Sequence, residues 1–96
     1  KNGPPHAFYL DKARAHNQAG IAYINAKKYD EALQQFEKSV KQNPELLEAR
    51  FNLAKLLLEF KNDKTHTAIH LKEALKLNPT PSQTQVLQNL LSQTRP

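Results

Sequence analysis

Cysteine is absent from the 96-residue sequence, which excludes a disulfide framework, a thiolate metal site and a cysteine nucleophile. Long apolar runs are also absent, since none approaches the roughly 18–20 residues needed to cross a bilayer. Even the leucine run at 56–58 is bracketed by Lys55 and Glu59. Only two glycines occur. These features predict a mostly helical chain that does not insert into a membrane.

An initiator methionine is missing, and no signal-like apolar segment follows Lys1. We therefore expect a piece of a longer protein, in which any targeting signal or anchor would lie elsewhere. The cytoplasm is the default expectation for its compartment.

Catalytic signatures are absent as well. The sequence contains no glycine-rich phosphate loop, nucleophile elbow or HExxH pair. His66 and His70 stand four residues apart, a spacing that can hold a metal on a helix, but the sequence fixes no third ligand. We favour one exposed and one partly packed histidine there, and we predict no catalytic residue, no metal and no cofactor.

Basic residues exceed acidic ones, 14 to 9, which gives a net charge of +5. A basic balance is expected of nucleic-acid-binding proteins. Here the excess is spread along the chain and not collected into a block, as is common for charge that serves solubility. Charge alone therefore argues against a nucleic-acid partner.

One helix-like pattern occurs twice in the chain, over residues 29–44 and again over residues 67–79. Equivalent positions lie 35 residues apart, as shown by Phe36 and Leu71, Ser39 and Ala74, Val40 and Leu75, and Asn43 and Asn78. Recurrence at this interval indicates an array of helical repeats. Apolar spacing and prolines predict five helices, over about 6–26, 29–43, 45–61, 65–78 and 81–94.

The helix ends carry recognisable signals. Thr65 is a plausible N-cap for the fourth helix. Thr80, Pro81 and Gln83 form a capping sequence for the fifth, in which the glutamine reaches back to the cap. Gly20 lies inside the first helix, where glycine costs stability, so we expect another helix to pack closely against it.

The sequence resembles the tetratricopeptide repeat, a helix-turn-helix unit of 34 residues. Its packing positions are matched first by Ala19, Gly20, Tyr23, Ala32, Phe36, Ser39 and Pro44, and then by Leu53, Ala54, Leu57, Thr67, Leu71, Ala74 and Pro79. His16 replaces a large apolar residue of the pattern and Thr67 replaces alanine. We expect His16 to pack with one polar contact.

The resemblance implies an all-α, right-handed superhelix of two repeats and a C-terminal capping helix. We assign the first repeat to residues 13–46 and the second to 47–81, with one residue inserted around 62–64. Residues 1–12 would form a lead-in and an extension of the first helix. Residues 82–96 would form the capping helix, with a polar outer face.

The resemblance also implies an interaction adaptor that binds a protein or peptide segment along a concave groove. The groove-facing positions of the first and third helices are Arg14, Asn17, Ile21, Ile24, Asn25, Glu48, Phe51, Asn52, Lys55, Leu58 and Glu59. Their mixed character suits an apolar or amphipathic segment. One subclass of the family grips a C-terminal carboxylate with lysine, asparagine and arginine side chains. Only Asn52 matches that set here, so such a clamp is not expected.

Three alternatives stay open. The fifth helix, or the extended start of the first, could cover the groove, because short arrays need their apolar faces covered. The same surfaces could stack copies into a homo-oligomer. Helical-repeat RNA binding would need basic or amide residues in register on the first helix of each repeat, and the pairing of Arg14 with Glu48 argues against it.

Overall fold

The computed structural model describes residues 6–95, with side chains from residue 11 onward. Five helices and no strand are found in this part of the chain: α1 (His6–Asn25), α2 (Tyr29–Gln42), α3 (Leu47–Glu59), α4 (Lys64–Leu75) and α5 (Pro81–Ser92). The predicted all-α fold is confirmed. The first residues of the predicted lead-in, 1–5, lie outside the described residues.

The helices pack in chain order. α1 pairs with α2 and α3 with α4 as two helical hairpins, α2 and α1 both contact α3, and α5 packs against α4. Among the described residues, no helix is both long enough and apolar enough to cross a membrane. Consecutive hairpins that contact only their neighbours are the arrangement of a helical repeat array.

Two buried clusters hold the hairpins together. The first contains Ala32, Phe36, Leu53, Leu56 and Leu57 and joins α2 to α3. The second contains Ala54, Leu71, Ala74 and Leu87 and joins α3, α4 and α5. Apolar burial contributes roughly 25 cal/mol for each Å² removed from water, so these clusters are the main stabilising contacts between helices.

A small residue lets α1 approach α2 closely. A Cβ atom added to Gly20 would lie 2.5 Å from Cε1 of Phe36, far inside ordinary carbon contact. Phe36 is fully buried, so its ring occupies the space that any side chain at position 20 would need. The close packing predicted for Gly20 is confirmed.

Buried polar side chains satisfy their hydrogen bonds on neighbouring helices. The Ser39 hydroxyl donates to the Ala13 carbonyl at 2.6 Å and so ties α2 to α1. The Thr67 hydroxyl donates to the Ala54 carbonyl of α3 at 3.3 Å and also to the carbonyl of Asp63, at the start of its own helix, at 2.7 Å. Nδ1 of His16 lies 2.8 Å from Oε1 of Gln35, on α2, and this is the single polar contact expected for that histidine.

The starts of α4 and α5 carry side-chain caps. The α5 capping box is present as predicted, with Thr80 and Gln83 bonded to each other's backbone N–H groups and Pro81 in the first turn. At α4 the predicted cap, Thr65, is wrong. Asp63 is the N-cap, because its carboxylate accepts the His66 backbone N–H at 3.0 Å, and the helix therefore starts at Lys64.

The turn of the second hairpin is one residue longer than that of the first. Residues 26–28 join α1 to α2, and residues 60–63 join α3 to α4. Lys27 and Asn62 both have positive φ angles and close these turns. The added length is held by side chains: the Phe60 ring packs on Tyr29 with 4.8 Å between centroids, and Lys61 pairs with an α2 carboxylate at 2.9 Å.

Candidate functional site

A cleft of about 440 Å³ opens between α1, α3 and α5. It lies on the side of the array formed by the first helix of each hairpin, and α5 continues that row. The residues that line it are Asn17, Gln18, Ile21, Leu47, Glu48, Phe51, Asn52, Ser82, Gln83, Val86 and Leu87. Because the lining residues come from α1, α3 and α5, a segment bound in the cleft would contact both hairpins and the last helix.

The structure brings together some of the predicted groove residues and not others. The cleft contains Asn17, Ile21, Glu48, Phe51 and Asn52. The other predicted positions do not line it: Arg14, Asn25, Lys55 and Glu59 are exposed elsewhere on α1 and α3, and Ile24 and Leu58 are half-buried. Binding through any of these residues stays a prediction.

Helix α5 supplies cleft residues that the sequence analysis did not propose. Leu87 is buried in the second cluster, where it packs with α4 and with the half-buried Phe51. This contact makes α5 a wall of the cleft and leaves the space beside it open. The spacing of Val86, Leu87, Leu90 and Leu91 indicates that α5 has an apolar side, and this signal could have predicted a place for α5 in the cleft.

Apolar side chains from three helices line the cleft. Ile21 packs against the first cluster and Phe51 against the second, so both are half-buried and fixed in position. Val86 faces them from α5 with 46% of its surface exposed. An exposed aliphatic side chain in a cleft that an aromatic ring also lines offers apolar area that a bound molecule would remove from water.

An amide pair lies beside this apolar surface. The Asn52 Nδ2 group donates to Oδ1 of Asn17 at 2.9 Å and so joins α3 to α1. Asn17 is only 3% exposed, yet no further hydrogen bond of its side chain is seen within residues 11–95. In the same range, every fully buried side-chain nitrogen or oxygen has a hydrogen-bond partner. Because Nδ2 of Asn17 has none, this atom is not fully buried and reaches the surface. Both amides retain hydrogen-bonding capacity for a ligand.

A single charge lies on the cleft wall. Glu48 is the one ionisable residue among the lining side chains, and it is exposed in the first turn of α3. Within residues 11–95 its carboxylate has neither an ion-pair nor a hydrogen-bond partner. The cleft is therefore neutral except for one available negative charge.

The two histidines of α4 lie in a separate groove against α2. Nδ1 of His66 contacts the Asp63 carboxylate at 2.8 Å, and the backbone hydrogen bond from His66 lowers the pKa of that carboxyl group. Arg50 donates to Nδ1 of His70 at 3.0 Å, and burial followed by the Arg50 charge lowers the pKa of His70. No group of three side chains placed to hold a metal is found within the described residues. These histidines therefore serve as contacts within and between helices.

The comparisons with known proteins identify the first hairpin. Residues 13–46, within α1 and α2 and the turn after them, match the tetratricopeptide repeat family. No curated protein matches the chain.

Proposed function

We propose that this tetratricopeptide-repeat chain binds a peptide segment of a partner protein in the cleft between α1, α3 and α5. Tetratricopeptide repeats are in general protein-interaction modules, and the family is typically non-catalytic. The partner is therefore sought among proteins, and the cleft is the surface that suits one.

The open apolar wall of the cleft carries the proposal. Val86 is nearly half exposed in the cleft that Phe51 also lines, and the amides of Asn17 and Asn52 offer a donor and an acceptor in the same cleft. A peptide needs both features, because its side chains bury apolar area and its backbone must replace the hydrogen bonds that it made with water. The volume of about 440 Å³ lies in the range of small ligand-binding clefts.

Val86→Asn tests the proposal, with Ile69→Asn as the matched control. Ile69 is an aliphatic residue of α4 that is 50% exposed, as Val86 is 46% exposed, but it lies outside the cleft. Short random peptides displayed on phage would be selected on the unmodified chain, and the enriched peptides would be labelled for fluorescence polarisation. Burying the exposed half of a valine is worth on the order of 1 kcal/mol, so Val86→Asn should weaken binding about five- to tenfold.

The outcomes separate binding from folding and from self-association. Ile69→Asn should leave the dissociation constant unchanged, and circular dichroism should show the same helix content in both variants. Equal loss of binding in both variants, or enrichment of no peptide, would overturn the proposal. Molecular mass over a concentration series tests the alternative: an oligomer that Val86→Asn dissociates would assign the cleft to a second copy of the chain.

A further inference from the structure

We propose that the segment bound in the cleft carries a lysine or arginine beside its apolar side chains, and that this cation pairs with Glu48. The inference rests on the proposed function, because it names the chemistry of the peptide that the same cleft would take.

The charge distribution around the cleft is the first argument. The chain as a whole carries a net charge of +5, yet no lysine or arginine lines the cleft. An acidic peptide would find no cation there to pair with and would meet the carboxylate of Glu48. A basic side chain would find a carboxylate that has no ion pair within residues 11–95. Complementary charge of this kind selects among partners.

The spacing of two cleft residues is the second argument. Glu48 and Phe51 are three residues apart on α3, so their side chains lie on the same face of the helix. The aliphatic stem of a lysine or arginine can pack on the ring while its charged head reaches the carboxylate. The face of the ring also attracts a cation. One basic side chain would therefore use both neighbours.

The amide pair indicates that the ligand has a peptide backbone. Asn17 is nine-tenths buried or more, its Oδ1 is occupied by Asn52, and its Nδ2 group reaches the surface with no hydrogen bond seen in the described residues. Such a group is suited to a carbonyl oxygen of a bound peptide. Asn17 lines the same cleft as Glu48 and Val86, so a backbone bound at its amide would lie in the cleft with both side chains.

Three parallel peptide selections test the charge preference. Short random peptides on phage are selected on the unmodified chain, on Glu48→Lys, and on Glu59→Lys as the control. Glu59 is an exposed glutamate of the same helix that lies outside the cleft. Lysine and arginine should be enriched on the unmodified chain and on Glu59→Lys, whereas Glu48→Lys should select aspartate or glutamate instead.

A binding cycle gives the size of the effect. For one enriched peptide, dissociation constants are measured with Glu48 or Glu48→Gln and with the basic residue present or replaced by glutamine. Either single change should weaken binding about two- to fivefold, because the pair is exposed at the rim. Making both changes should weaken binding little more than either change alone. Added salt should weaken the binding of the unmodified peptide to the unmodified chain more than the binding of any other combination.

The results distinguish the inference from the function on which it rests. Peptides that lose affinity with Val86→Asn but carry no excess of lysine or arginine would overturn the inference and leave peptide binding in place. A strictly additive cycle would do the same. Enrichment of no peptide on the unmodified chain would overturn both. Urea midpoints of the variants show whether any loss of binding reflects unfolding.

Discussion

Replacing Gly20 with alanine tests whether close contact between α1 and α2 sets the geometry of the first hairpin. An ideal Cβ at this position would lie 2.5, 2.7 and 2.8 Å from Cε1, Cδ1 and Cζ of Phe36. Favourable carbon contacts lie at about 3.5–4.0 Å, so three ring atoms would have to retreat by roughly 1 Å. Phe36 is fully buried, so the ring cannot relieve the contact by moving into solvent without giving up its burial.

Two opposing effects decide the result. Alanine is favoured over glycine by about 1 kcal/mol in a helix interior. Overpacking a well-packed core costs typically about 1–3 kcal/mol, and three close contacts place Gly20→Ala toward the upper part of that range. We therefore expect a net loss of about 1–2 kcal/mol in the free energy of unfolding. Each kcal/mol corresponds to about 4–8 °C in melting temperature for a domain of this size.

Urea unfolding followed by circular dichroism measures this loss, and two further variants interpret it. Ala22→Gly, at an exposed position of α1, measures the propensity effect without the contact and should cost about 1 kcal/mol. In a Phe36→Leu background the shorter side chain relieves the contact, so Gly20→Ala should there be neutral or stabilising. A stabilising Gly20→Ala in the unmodified chain, or simple additivity of the two changes, would refute the reasoning.

Two further predictions concern a turn and a titrating group. Lys27 has a φ of 61°, which glycine adopts without strain. Lys27→Gly should therefore raise the free energy of unfolding, measured in urea, by about 0.5–1 kcal/mol. Lys28 has a φ of −101°, so Lys28→Gly should give no such gain. Burial and Arg50 lower the pKa of His70 below its ordinary 6.5, so protonation favours the unfolded chain and stability should fall as the pH drops below about 6.5. Urea midpoints across this range should flatten in His70→Gln and keep their slope in His66→Gln; equal slopes in all three proteins would contradict the assignment.

The fold could be predicted largely from spacing. The recurrence of Phe36 at Leu71 and of Ser39 at Ala74 places large and small residues at the same sites in both hairpins, and the structure buries all four. The start of α4 was harder to predict, because Asp63 and Thr65 are both good N-cap residues. Which of them caps the helix depends on where the longer turn of the second hairpin ends. The length of this turn is held by contacts of Phe60 and Lys61 with Tyr29 and Asp30 of α2, about 30 residues earlier in the chain.

The sequence could predict which face of α3 lines the cleft, but not which turns of the helix do so. Phe51, Lys55 and Leu58 recur on one face of α3, so periodicity alone treats them as equivalent. In the structure the α3 residues that line the cleft all come from the N-terminal half of the helix, where α5 residues also line it, and the C-terminal half stays outside. The position of α5 beside this half of α3 is fixed by Leu87, which belongs to the second cluster together with Ala54 of α3. That contact follows from packing in three dimensions, which the spacing of apolar residues does not encode.

We expect helix α5 both to cover the apolar end of the array, through Leu87, and to line the binding cleft, through Val86. Leu87 is 1% exposed and covers the second cluster, which closes the apolar end of the array. The Val86 side chain is 46% exposed, and most other exposed residues of α5 are glutamine, asparagine or serine. If α5 served only to close the array, a polar residue at position 86 would serve as well as valine. Valine there leaves apolar area in water inside the cleft, and binding of a peptide would remove it. The comparison of Val86→Asn with Ile69→Asn therefore asks whether α5 is a wall of a binding site as well as a cap: the chain should fold with either substitution, and only the first should weaken binding.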